Sequence, residues 1–169
     1  MHKMKNSLLF IFLIVTMLLA ACSQQDKKPL RTGDKLSSFT AQTIDKQSFK
    51  LSSYAGRPMV VRFFLTNCPF CKADTPTFNS FYSAHKDSGL MVVYLNTNAS
   101  NLEEVETFSR EFDIQFPVIY DMEGKIAKQY NIKAQPLTLV LSPEHKLLAA
   151  LLGGVSREEL DELLGKYLN

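Results

Sequence analysis

Cys68 and Cys71 stand two residues apart in Cys68-Pro69-Phe70-Cys71, a spacing that lets the second sulfur turn back and close a disulfide with the first. An apolar run, Met59 to Leu65, leads into this stretch, and a helical segment from Lys72 to about Ser88 leaves it. A strand that ends in a turn and feeds a helix places the first cysteine at a helix N-terminus. Unpaired amide N–H groups and the positive end of the dipole favour an anion there over a neutral thiol. A free thiol, with a pKa of about 8.5, becomes a nucleophilic thiolate at neutral pH in such a place. The pair reads as a redox pair, exchanging disulfides by thiolate attack with no cofactor beyond its own sulfurs.

Metal chemistry fits less well. A structural zinc site needs four ligands, and the two cysteines supply only half of them. No second Cys-x-x-Cys exists, and His85 and His145 fall in a helix and a turn, where they read as solvated surface residues. No metal is expected.

The third cysteine, Cys22, closes a different kind of segment. Lys3 and Lys5 precede an apolar run from Leu8 to Ala21, interrupted only by Thr16, which has the plan of a secretion signal. The run is shorter than the ~20 apolar residues of a spanning helix. Leu19-Ala20-Ala21-Cys22 resembles a bacterial lipobox, in which the cysteine is diacylated and becomes the new N-terminus. Residues 1–21 are therefore expected to be a lipoprotein signal, and 22–37 a lipidated cysteine with a polar spacer holding Pro29 and Gly33. Residues 38–169 form the domain, held on the extracytoplasmic face of the membrane. Without Lys3 and Lys5, 17 basic residues oppose 17 acidic ones. A neutral domain without a basic cluster argues against nucleic acid as a partner.

The elements that position the cysteines follow from periodicity. Phe39, Ala41 and Thr43 alternate with polar residues, Asp45-Lys46-Gln47 turns, and Phe49 and Leu51 resume, predicting a hairpin. Val60 to Leu65 and Leu90 to Leu95 are nearly continuous apolar runs, as in strands buried on both faces. Ser100 to Glu103 has capping-box spacing before a helix with Leu102, Val105, Phe108 and Phe112 on one face. Phe116 to Tyr120 is a short strand, Lys125 to Tyr130 a short helix, and Leu137 to Leu141 and Leu147 to Leu152 are strands. Ser156 to Glu159 caps a terminal helix. Strands alternating with helices and ending in a hairpin and a helix imply a layered mixed sheet.

These landmarks resemble the thioredoxin superfamily: Cys68-Pro69-Phe70-Cys71 after a buried strand, Pro76 inside the next helix, Pro136 before a late strand. Leu51 to Pro58, and Phe116 to Asp121 with Gly124 downstream, are similar to its membrane-tethered ResA/TlpA branch. The resemblance runs from about Ser38 to the C-terminus. It implies an α/β thioredoxin-like fold, a central mixed sheet flanked by helices, with an N-terminal hairpin and an αβ insertion at about 96–130.

By the same resemblance Cys68 is the exposed attacking thiolate and Cys71 the buried resolving thiol. Pro136 is a cis proline across from them, Gln135 offers backbone hydrogen bonds to a substrate, and Pro69 and Phe70 contribute to the contact. The implied activity is extracytoplasmic thiol–disulfide exchange with exported cysteine-containing proteins, apocytochrome c among them. A membrane thiol–disulfide transporter supplies or accepts the electrons. A disulfide-forming oxidase and a copper metallochaperone of the same fold are the alternatives. The chaperones, however, carry three residues between their cysteines.

Several positions depart from the pattern. Asn67 stands where Trp is common, and the chain has no Trp. The peroxiredoxin motif Pro-x-x-x-Thr-x-x-Cys is absent, with Leu65 three residues before Cys68. Arg62 occupies the place of the buried acid of thioredoxins, and it cannot act as a base. If it points at the cysteines it tunes a thiolate and makes the pair more oxidising. Otherwise it pairs with a carboxylate or snorkels to water. No residue is identified as the proton acceptor for Cys71.

Overall fold

β-branched and aromatic residues crowd the segments that form strands, and polar or glycine-containing stretches separate them. The computed structural model describes residues 29–97 and 101–168; the segment expected to be a signal, and Cys22, lie outside the described residues. A hairpin comes first, β1 (Thr40–Gln42) against β2 (Ser48–Lys50), followed by a 3-10 turn, Leu51–Tyr54. Then come β3 (Met59–Phe64), α1 (Pro69–His85), β4 (Met91–Thr97), α2 (Leu102–Glu111), β5 (Val118–Asp121) and α3 (Lys125–Gln129). The chain ends with β6 (Leu137–Leu141), β7 (Leu147–Leu152) and α4 (Arg157–Leu164).

The five-stranded sheet has the order β5-β4-β3-β6-β7. β3 pairs in parallel with β4, and β4 with β5, while β6 and β7 run antiparallel. This is the central mixed sheet flanked by helices, with an N-terminal hairpin, that the sequence implied. β3 lies at its centre, which is why every residue from Met59 to Phe64 is buried.

Alternation along β3 splits the core in two. Met59, Val61 and Phe63 face the hairpin and α3. Val60 and Phe64 face α1, α2 and α4, with Cys71, Phe78 and Phe81 of α1 packed on them. Arg62 shares the parity of Val60 and Phe64, so its side chain enters the α1 layer.

β3 runs toward Cys68, and Met59 pairs with Leu141, which pairs with Leu147. Lys35 bridges Lys146 just beyond. The described chain therefore enters at the pole of the sheet opposite the cysteines. Leu36 is buried there, so packing on the domain extends upstream of Ser38.

Three local readings differ from the sequence. α1 begins at Pro69 rather than Lys72, because Pro at N1 has its φ already helical and no N–H to leave unpaired. The N-cap of α2 is Asn101, its side chain accepting from the Glu104 amide at 2.9 Å, while Ser100 of the expected capping box lies outside the described residues. His85 and His145 are not the solvated surface residues expected. His145 is 5% exposed, tucked under the Leu51–Tyr54 turn with Nε2 3.1 Å from the Tyr54 carbonyl. His85 is half-buried, its ring 4.8 Å from that of Phe81.

Candidate functional site

Cys68 is the N-cap of α1 and Cys71 lies one turn in, so the helix itself fixes their separation. Both carry free thiols; Cys68 is partly exposed and Cys71 is buried. The carbonyl of Cys68 accepts from the Lys72 amide at 3.1 Å, closing the first turn. Burial pushes the Cys71 thiol up to about 12, and the Cys68 thiol hydrogen-bonded to it adds to the rise. The Leu65 backbone and the Arg62 charge pull the other way.

The Gln135–Pro136 peptide bond is cis, and Pro136 is buried. Its carbonyl accepts from the Gly153 amide at 2.9 Å, which ties the turn to the end of β7. The Gln135 side chain donates from Nε2 to Thr97 Oγ1, while its Oε1 is buried without a partner. Pro69 is exposed, and Phe70 is 62% exposed.

Two clefts flank this ridge. One, of about 430 Å³, lies between Thr66–Asn67 and the Glu104 and Glu111 side of α2. The other, of about 410 Å³, is lined by Leu65, Thr97, Lys133 and Gln135.

Beneath the cysteines sits a buried ion pair. Arg62 Nη2 donates to Asp74 Oδ2 at 2.6 Å, and Nη1 donates to Thr138 Oγ1 at 2.6 Å. Arg62 is fully buried and Asp74 is 7% exposed. The guanidinium lies 4.9 Å from the centre of the Phe78 ring. Asp74 Oδ2 also accepts from the Val155 amide at 3.1 Å. Of the sequence alternatives for Arg62, the fold provides the carboxylate partner and rules out snorkelling to water. Burial still lifts Asp74 to about 6, against the pull of Arg62 and of the Val155 amide.

Asp74 is the residue that sequence reasoning missed. The signal was available: Cys71, Asp74, Phe78 and Phe81 recur at helical spacing on one face of α1. An acid on that face, opposite an arginine in a strand buried on both sides, has few other partners.

Among the described residues no three His, Cys, Asp or Glu side chains gather as a metal site. No helix among them is long and apolar enough to cross a membrane.

Residues 32–150 match the model of the AhpC/TSA family. A thiol-disulfide oxidoreductase ResA of Oceanobacillus iheyensis is 29% identical, covering 99% of this chain and 90% of its own. The crystal structure of StoA from Bacillus subtilis superposes with a TM-score of 0.66 at 27% identity, over 75% of this chain and 96% of its own. A Chlorobium tepidum structure named for the thiol:disulfide interchange protein DsbE reaches 0.75 at 22% identity, over 83% and 99%, a likeness of fold.

Proposed function

The chain belongs to the AhpC/TSA family, and on that premise we propose that it is an extracytoplasmic, membrane-tethered thiol–disulfide oxidoreductase acting on exported cysteine-containing proteins. The observation that carries this reading is the pairing of a partly exposed Cys68 with a buried Cys71 at the head of one helix. Peroxide reduction is a poorer match, because Leu65 puts no hydroxyl three residues before Cys68.

The exchange balances on the two sulfurs. Cys68 Sγ attacks a client disulfide, forming a mixed disulfide and releasing one client thiolate, which takes a proton from water. Cys71 Sγ then loses its proton and attacks Cys68 Sγ. The Cys68–Cys71 bond forms, the second client thiolate leaves, and the client has gained two electrons. Asp74 is placed to accept the Cys71 proton. It lies three residues along the same helix face, its Oδ1 is buried without a partner, and at about 6 it is ionised at neutral pH. Pro136, Gln135, Pro69 and Phe70 would present the surface that a client segment meets, a role supported by the cis bond before Pro136 and the exposure of Pro69 and Phe70.

A lipid on Cys22 would hold the domain at the membrane. Because the described chain enters at the opposite pole, the cysteines would face away from the bilayer. Electrons would come from a membrane thiol–disulfide partner and pass to clients such as apocytochrome c. Run in reverse, the same steps form disulfides.

Cys71→Ser is the test. It should accumulate a mixed disulfide between Cys68 and a model client such as insulin, while Cys68→Ser forms none. Failure of Cys71→Ser to trap any adduct overturns the reading. Equilibration of the purified domain with glutathione buffers sets the direction.

A further inference from the structure

Arg62 is the largest fully buried polar side chain near the cysteines, and disulfide exchange alone gives it no task. We propose that Arg62 is a positioning residue for the second half-reaction, its fixed guanidinium charge making buried Cys71 an effective resolving nucleophile. This rests on the oxidoreductase reading above.

The geometry holds the charge in place from three sides. In the sheet, Arg62 stands directly opposite Thr138 of β6 and Tyr94 of β4. Its Nη1 donates to Thr138 Oγ1 at 2.6 Å and approaches the Gly153 carbonyl at 3.5 Å. Its Nη2 is fixed on Asp74, one turn beyond Cys71. The Phe78 ring closes the remaining side. Its Nε is buried without a partner, but the contacts of Nη1 and Nη2 and full burial keep the side chain from solvent, and its charge stays under the head of α1.

The second half-reaction needs that charge. Resolution requires an anion on a fully buried sulfur, which burial alone opposes strongly. Around Cys71 the titratable and charged groups are Cys68 and Asp74 on α1, Arg62 on β3 and Tyr94 on β4. The neighbours from β6 and from the β7–α4 turn, Thr138, Gly153 and Val155, are uncharged. Arg62 is the one cation in this set, and it lowers the cost of the Cys71 thiolate. The first half-reaction uses Cys68 at the partly exposed N-cap and depends on Arg62 less.

During resolution the Cys71 S–H bond breaks, its proton passes to Asp74, the Cys68–Cys71 bond forms, and the client sulfur departs with the electron pair. Arg62 donates no proton and forms no bond to a reacting atom.

The experiment follows the two half-reactions separately across pH, using the protein and a peptide carrying one mixed-disulfide-forming cysteine. Arg62→Met is compared with wild type, and again within an Asp74→Asn background, where no unpaired carboxylate remains. A more basic sulfur is also the better nucleophile, which offsets part of any loss of thiolate. Resolution should therefore slow about threefold for each tenfold fall in the thiolate fraction. The adduct should persist longer in both backgrounds, the apparent pKa of resolution should rise, and Arg62→Lys should recover part of the rate. Attack by Cys68 should be unchanged. An unaltered resolution profile in the Asp74→Asn background overturns the proposal, as does an equal loss in both half-reactions. A wild-type chain that forms no adduct overturns the oxidoreductase reading itself.

Discussion

Arg62 and Thr138 are register partners on adjacent antiparallel strands, and the threonine hydroxyl accepts the arginine Nη1 at 2.6 Å with both residues fully buried. A strand pairing and a charged hydrogen bond therefore coincide at one point of the sheet. Thr138→Val keeps the shape but leaves a buried guanidinium N–H without its acceptor. The expected loss is about 1–3 kcal/mol, read by urea denaturation, while Thr138→Ser should recover most of it. Equal stability in Val and Ser variants would show that water or Gly153 replaces the hydroxyl.

The end of β7 makes a second prediction. Gly153 has φ +95, a conformation that side chains with a Cβ rarely adopt, and its amide serves the Pro136 carbonyl. Gly153→Ala should cost about 1–2 kcal/mol and loosen the cis-proline turn. At Gly154 an added Cβ would meet Phe70 Cδ1 at 3.9 Å and Asp74 Oδ2 at 4.0 Å, ordinary contacts, so Gly154→Ala should be close to neutral. Thermal melts of the two variants separate strained backbone from simple crowding.

How much of this was legible beforehand depends on whether local pattern or tertiary contact decided it. β6 and β7 begin and end where the apolar runs do. The α4 capping box formed as its four residues specify, Ser156 and Glu159 each meeting the other's amide. Such elements are set by neighbours in sequence. Asp74 and His145 are set by neighbours in space: a helix face and a turn acquire burial only when β3 and the Leu51–Tyr54 turn close over them. Arg62 was legible as an anomaly and not as a pair. Its partner lies 12 residues away in sequence, on an element whose orientation only the sheet determines.

Burial of Cys71 ties stability to pH in the reduced protein. Its thiol goes from an ordinary value near 9 to about 12 in the fold. Between those values the unfolded chain has lost a proton that the folded chain retains, so stability falls as pH rises above 9. The limit is about 1.4 kcal/mol per pH unit for one proton. Denaturant titrations of the reduced domain at about pH 8, 9 and 10 should show this decline, and Cys71→Ala should flatten it. An undiminished slope in Cys71→Ala would assign it to other groups.

Asp74 produces a slope of the same sign at acid pH, for a different reason. An exposed aspartate ionises near 3.8, and this one near 6 in the fold, because burial outweighs Arg62 and the Val155 amide. Below about 4 both states hold the proton, and above about 6 neither does. Between them the folded state alone keeps it, so folding stability should decrease as pH climbs from about 4 to 6. Asp74→Asn removes this dependence, leaving a flatter profile. The asparagine still accepts from Arg62 and imitates the uncharged carboxyl. On this balance Asp74→Asn should be no less stable than wild type at pH 7. Denaturation midpoints at about pH 4, 5, 6 and 7 for both chains decide it. A wild-type profile that instead rises over this window would mean that the attraction of Arg62 exceeds the burial penalty, and that Asp74 is too weak a base to take the Cys71 proton.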